Sequence, residues 1–183
     1  MSLTRIHNFS VSLDGFATGE PQSAEAPFGH AGQRLHQWMM ATQSWDASGT
    51  AGVDNAFAQQ HDPGIGAEIM GANKFGPAGR PPIEMEGGTT FHFLEATPAE
   101  ALETARAAAD GQDERIGGGA TVVRDFLAAG LVDHMHLVQV PIVLGRGVRV
   151  WDGLEGIDEG FDVEVVSSPS GVTHFTFTRK VPS

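Results

Sequence analysis

Apolar residues at Ile6, Phe9, Val11 and Leu13 predict a first strand over 5–13, and "LDG" at 13–15 closes it in a turn. The following stretch, "ATGEPQSAEAPFGHAG" at 17–32, has little to pack and predicts a surface loop. "QRLHQWMMATQ" sets Leu35, Trp38 and Met39 at helical spacing, and "GVDNAFAQQH" predicts a second short helix. "GAEIM" at 66–70 is a short strand, whereas "GPAGRPPIEMEGG" at 76–88 has a linker composition in which regular structure is not expected. "TTFHFLE" at 89–95 alternates as a strand does. Thr97-Pro98-Ala99-Glu100 is a capping box with proline at the first helical position, so a helix starts there and runs through the alanines to Ala109. "ERIGGG" predicts a brief strand, and "ATVVRDFLAAG" a helix with Val123, Phe126 and Leu127 on one face and Gly130 as its stop. "VDHMHLVQVPIVL" is a long strand interrupted by Pro141, which points to an edge position or a bulge. "FDVEVVSSPSGVTHFTFTRK" is a hairpin around "SPSG". This order predicts an α/β fold with a mixed sheet and an antiparallel end, in a single domain over 1–183.

Composition narrows the function. The chain carries 11 basic against 23 acidic residues, a formal net charge of -12, and no run of Lys or Arg, so nucleic acid is not an expected partner. With no cysteine, disulfides, thiolate zinc sites and cysteine nucleophiles are excluded. No stretch approaches the roughly 18 apolar residues of a membrane span, and the start has no secretory pattern; no membrane partner and a cytoplasmic location are the expectations.

Candidate chemistry centres on glycine. Gly117, Gly118 and Gly119 stand where a strand ends and a helix begins, so backbone N–H groups and the positive end of a helix dipole converge there, with Thr121 adding a hydroxyl. The pattern is neither the G-x-G-x-x-G fingerprint nor a Walker loop, and it reads equally as a tight turn or as an anion site. "LGRG" at 144–147 reads first as a loop between strands, and Asp14 before Gly15 as ordinary turn chemistry. His134 and His136, two apart on a strand, share a face, and His92 or His174 could join them around a metal; with no convergent carboxylates a metal site is not expected. Trp38, Trp45 and Trp151 are core or interface anchors first, although Trp38 could also stack under a planar substrate. Lys74 and Arg80 are the scarce cations near the linker that could receive a phosphate.

"FSVSLDG", "IMGANKFG", "MEGGTTFHF", "IGGGATVVRDFLAAGLVDHMHLVQVPIVLGRGVRVW" and the closing hairpin together resemble the dihydrofolate reductase-like superfamily, in the branch of the reductase domain of the riboflavin-biosynthesis deaminase-reductase. The resemblance implies a three-layer fold with a mixed, mostly parallel central sheet and a C-terminal hairpin. It also implies a homodimer using NADPH, with NADH not excluded, to reduce a small heterocyclic substrate such as 5-amino-6-(5-phosphoribosylamino)uracil. Dihydrofolate or another pterin is the alternative acceptor, and a non-catalytic nucleotide-binding dimeric scaffold the alternative class. By the resemblance, Gly117, Gly118, Gly119, Ala120 and Thr121 would hold the cofactor pyrophosphate, and Gly71, Ala72 and Asn73 would supply a second backbone surface. Ser12, Gly15 and Trp38 would face the substrate and Asp14 would be catalytic, with the loop after Gly15 as a lid. The chain departs from the pattern twice: Ala72 stands where an arginine is common, and a strand usual between "IMG" and "MEGGTTF" is missing. The cysteine-dependent deaminase signature is absent.

Overall fold

A computed structural model describes residues 2–72 and 80–181; Asn73 and Lys74 lie outside them. The strands are β1 (Thr4–Ser12), β2 (Phe16–Thr18), β3 (Ile65–Ile69), β4 (Ile83–Glu84), β5 (Thr90–Phe91), β6 (Asp113–Ile116), β7 (His134–Val140), β8 (Val148–Arg149), β9 (Phe161–Ser167) and β10 (Thr173–Arg179). The helices are α1 (Gln37–Met40), α2 (Val53–Ala58), α3 (Pro98–Ala109) and α4 (Ala120–Ala128).

Six strands form the main sheet in the order β3-β6-β1-β7-β10-β9. The first four run parallel, and β10 and β9 close the sheet antiparallel. The order follows from local sequence. The helices after β3 and β6 return the chain in the same direction, as parallel neighbours require, while the short Ser168–Val172 connection forces β9 and β10 into a hairpin. Strand β7 shows how the layers arise. Its Met135 and Leu137 enter a core with Ile6, Leu102, Val123, Phe126 and Leu127, which α3 and α4 cover. Its Val138 and Val140 join Leu35, Trp38 and Ala58, the second core. Period-2 alternation thus supplies both faces, and helices on each side make three layers, as the resemblance implied.

Helix α3 begins as predicted. Thr97 Oγ1 accepts the Glu100 N–H at 3.4 Å and Glu100 Oε2 accepts the Thr97 N–H at 2.8 Å, satisfying two first-turn donors reciprocally. Helix α4 buries Val123, Phe126 and Leu127, and Gly130 follows with φ 69.

Three expectations need correction, the first being that 76–88 has no regular structure, since Ile83–Glu84 forms β4. "TTFHFLE" contributes only Thr90 and Phe91 to a strand, and these pair with Ile83–Glu84 in a separate two-stranded ribbon. Alternation prepares a segment for a sheet but does not supply a neighbour, and among the described residues β3 forms the edge of the main sheet. Pro141 marks neither an edge nor a bulge. Strand β7 is central, paired on both sides, and the chain leaves the sheet at Val140, so the proline never needs an N–H in the ladder. The bulge lies instead on β1, between Ile6 and Phe9, where Asn8 has φ 54.

Candidate functional site

The carboxyl ends of β3, β6 and β1 lie side by side, since these neighbours are parallel. Each ends in glycine or turn chemistry: Gly71 after β3, Gly117–Gly119 after β6, and Asp14–Gly15 after β1. The Gly71 N–H donates to the Gly118 carbonyl at 3.0 Å, which ties the first two together. Helix α4 starts at Gly119 with no side chain capping its amides, and a Cβ at Gly118 or Gly119 would meet nothing within 4 Å. The positive end of α4 is therefore open where three strand ends converge. Gly117 serves a different purpose: a Cβ there would collide with the carboxylate of Glu68, which is paired at 2.5 Å with Arg115. Beside Gly71 and Ala72 runs a cleft of about 820 Å³, walled by Val122 and Asp125 of α4, by the alanines of α3, and by Phe91 and Phe93. Arg80 lies over the Phe93 ring at 4.9 Å.

At the end of β1, Asp14 is held from three sides. Ser12 Oγ donates to its Oδ1 at 2.6 Å, the Leu144 N–H to the same oxygen at 3.1 Å, and the Gly145 N–H to Oδ2 at 2.7 Å. Desolvation is the largest single influence and acts upward, but the bonds from Ser12, Gly145 and Leu144 together outweigh it and hold the carboxyl down at about 2. An ionised, fully engaged carboxylate is suited to orienting the 144–147 loop and not to giving up a proton at neutral pH. The same loop approaches β2 closely: Gly147 has φ 139, and a Cβ there would strike the Thr18 carbonyl. His30 of the surface loop contacts the Leu144 carbonyl through Nε2 at 3.1 Å, so the segment expected as a lid is tied to the loop that Asp14 orients. A second cleft, of about 500 Å³, opens beside Ser12, Asp14 and Gly15 under the rings of Trp151, Phe175 and Phe177, with Gln139 and Arg149 as polar members. Arg149 stacks on Phe16 at 4.5 Å.

Residues 79–173, just over half the chain, match the family described as RibD C-terminal domain. The chain belongs to the RibD C-terminal domain family. No curated protein matches it. Among solved structures this RibD C-terminal domain chain is similar to a protein of Shewanella sp. PV-4 ascribed to riboflavin biosynthesis, with a TM-score of 0.62 at 18% identity over 98% of this chain and 99% of that one. It is also similar to a pyrimidine reductase-like protein of Corynebacterium diphtheriae NCTC, at 0.51 and 15% over 99% and 92%. RibD of Acinetobacter baumannii gives 0.57 at 15%, with 99% of this chain covering 59% of that one. At these identities the likeness is one of fold.

Within the RibD C-terminal domain fold, the residues singled out from sequence fall into three groups. Gly71, Ala72 and Gly117–Thr121 share one neighbourhood, and Ser12, Asp14 and Gly15 share another. Trp38 joins neither. It is 5% exposed in the second core and its Nε1–H donates to Ser10 Oγ at 2.9 Å. Sequence reasoning missed Gln139, Arg149, Phe175 and Phe177 as lining residues. The signal was present in β10, whose Phe175 and Phe177 alternate with His174 and Thr176, but which face would be open depends on contacts far away in sequence. Among the described residues no group of three or more His, Asp or Glu is placed to hold a metal ion, and no helix is long and apolar enough to cross a membrane.

Proposed function

We propose that this chain is an NADPH-dependent reductase acting on a planar heterocyclic substrate of the 5-amino-6-(5-phosphoribosylamino)uracil class. The observation that carries the reading is the meeting of Gly71 with the glycine turn at the open amino end of α4, next to the Ser12–Gly15 turn, at the carboxyl ends of parallel strands. Ligands in open α/β sheets bind in such a crevice. The residues present fit a dinucleotide: the first amides of α4 would receive its pyrophosphate, and no side chain at 118 or 119 bars the approach. When bound, the dinucleotide supplies a hydride. The chain's own residues bind and orient. Trp151, Phe175 and Phe177 offer rings to a flat substrate, and Gln139 and Arg149 offer hydrogen-bond donors to its carbonyl or phosphate groups. Asp14 fixes the loop that borders this cleft, and the proton that follows the hydride comes from solvent. Family membership and the RibD fold support this reading over a pterin acceptor.

A second copy of the chain is the partner we propose. Val163 and Val165 of β9 are 42% and 56% exposed and stand directly opposite Phe177 and Phe175 of β10, so an apolar sheet face lies uncovered beside the aromatic cleft.

The experiment is a titration with NADPH and separately with NADH, followed by nicotinamide fluorescence and by thermal stability. Micromolar binding of NADPH is expected. Ala72 offers no cation to the 2′-phosphate, so NADH is expected within about tenfold of it, roughly 1.4 kcal/mol. If neither binds, the reductase reading fails and a scaffold descended from the same fold replaces it. The β3 edge and the detached β5 are the observations that favour that alternative.

A further inference from the structure

The face of the sheet turned away from α3 and α4 encloses a row of polar groups that the proposed reaction does not use. Asp54 of α2, His174 of β10, His136 of β7 and Asn8 of β1 follow one another. Asp54 Oδ1 is 2.8 Å from His174 Nε2, His174 Nδ1 is 2.9 Å from His136 Nε2, and His136 Nδ1 is 3.2 Å from the Asn8 N–H nitrogen. The two imidazoles are 0% and 1% exposed and nearly coplanar, at 14°. Phe57 stacks on both, with ring centroids at 4.3 and 4.6 Å, and Trp38 presents its ring edge-on to each. Solvent is excluded, so every donor in the row needs an acceptor within it.

That requirement gives the row a direction. Burial acts to raise the Asp54 carboxyl, but hydrogen bonds from Ser168, His174 and Ser170 outweigh it and lower its pKa, so it is ionised and can only accept. His174 therefore carries its proton on Nε2, which leaves Nδ1 to accept. His136 must then donate from Nε2, and its Nδ1 accepts the backbone N–H of Asn8. Asn8 Oδ1 lies 3.0 Å from that same Nδ1, where two lone pairs would oppose each other. In this order the amide turns over and presents Nδ2, which otherwise is buried with no partner. His7 and His134, stacked at 5.1 Å, and Arg5 beside His7 stand on the same side and oppose any added proton.

The far end of the row is the β1 bulge. Asn8 has φ 54, and the extra residue between Ile6 and Phe9 changes the parity of the strand, so that Ile6 and Val11, five apart, enter the same core. The bulge thus decides how the last residues of β1, and with them Ser12 and Asp14, arrive at the site. We infer that Asp54 is a positioning residue: as an acceptor-only terminus it sets the polarity of the Asp54–His174–His136–Asn8 chain, and through it holds the β1 bulge and the Ser12–Asp14 turn in place. The inference goes beyond the reductase reading and does not depend on it.

The test is nitrogen-15 NMR of the full chain at pH 7.5, without ligand. In the wild type both His136 and His174 are expected as neutral Nε2–H tautomers. Asp54→Asn introduces an amide that can donate as well as accept, so only the Asn8 N–H then favours the original order, and a reversed row can place the His136 Nδ1–H on Asn8 Oδ1. The variant is expected to show a mixture of Nδ1–H and Nε2–H tautomers at both histidines, a shifted Asn8 amide, and shifted amides at Gly15 and Gly145. His136 found as Nδ1–H in the wild type would overturn the assignment, and this holds even if the variant does not fold. A folded variant with unchanged tautomers would remove Asp54 as the determinant. Reversed tautomers with Gly15 and Gly145 unmoved would sever the link to the site.

Discussion

At the scale of single residues, the glycines of this chain divide by what a Cβ would meet. Gly117 and Gly147 are required by neighbours inside the protein, Glu68 and the Thr18 carbonyl respectively, whereas Gly118 and Gly119 face open space. Of these four, only Gly119 separates ligand binding from folding. Gly119 has φ -78, so a side chain there costs the backbone little, while Gly118 at φ 98 adds strain of about 1–3 kcal/mol. Gly119→Val is expected to weaken dinucleotide binding at least about tenfold while its melting temperature stays close to the wild type's. Gly118→Val is expected to lose binding and also melt earlier. Calorimetric titration and melting curves on both variants check this, and wild-type affinity in folded Gly119→Val would move the site elsewhere. The triplet was visible in sequence as a strand-to-helix turn, but which of its members faces outward was not, because Glu68 is some fifty residues away and on another strand.

At the scale of elements, what could be foreseen was what is encoded within a few residues. The capping box at Thr97 is such a case, and Thr97→Ala is expected to cost about 1 kcal/mol, read as a lower urea midpoint with an unchanged slope. The strands β2 and β8 were not foreseen, because three and two residues are too few to display a period. "TTFHFLE" shows the converse: its alternation is genuine, yet a strand that meets only β4 stays a two-stranded ribbon. His134 and His136 were rightly placed on one face by their spacing. Their different fates, one against His7 and one hydrogen-bonded to His174, were set by β1 and β10. Trp38 sits at the helical spacing that sequence suggested, but spacing fixes a residue's position on its own helix and not which side of the sheet that helix will cover.

For the whole molecule, charge and burial set the response to acid. Burial first, then Arg5 and His134, lower His7 to about 3, and burial followed by His174, His7 and His134 lowers His136 to about 3, against an ordinary 6.5. Both are neutral in the folded chain and bind protons readily only when it unfolds. Their stabilising contribution is complete above 6.5 and is lost as pH falls from there towards 3. Melting temperature is expected to be flat from pH 7 to 8 and to decline below 6.5, each histidine contributing up to about 1.4 kcal/mol per pH unit. A profile that stays level down to pH 5 would mean that these rings are not held neutral. The uncovered β9–β10 face makes a second whole-molecule expectation: sedimentation equilibrium should show a dimer, and Val165→Glu should yield a folded monomer. A monomeric wild type would remove the partner we propose.

The position of β1 in the sheet also bears on how the chain assembles. Strand β1 is made before either of the strands between which it ends up, β6 and β7, with Arg5 paired to Arg115 on one side and His134 on the other. Neither neighbour exists until roughly a hundred residues after β1 have been made, and closing loops of that length delays the contacts that reward it. A nascent or truncated chain ending before β6 therefore has no edge on which β1 can pair as it does in the finished sheet. Assembly in the millisecond-to-second range typical of long-range strand pairing is the consequence, with β1 waiting as an unpaired apolar segment until β6 and β7 follow it.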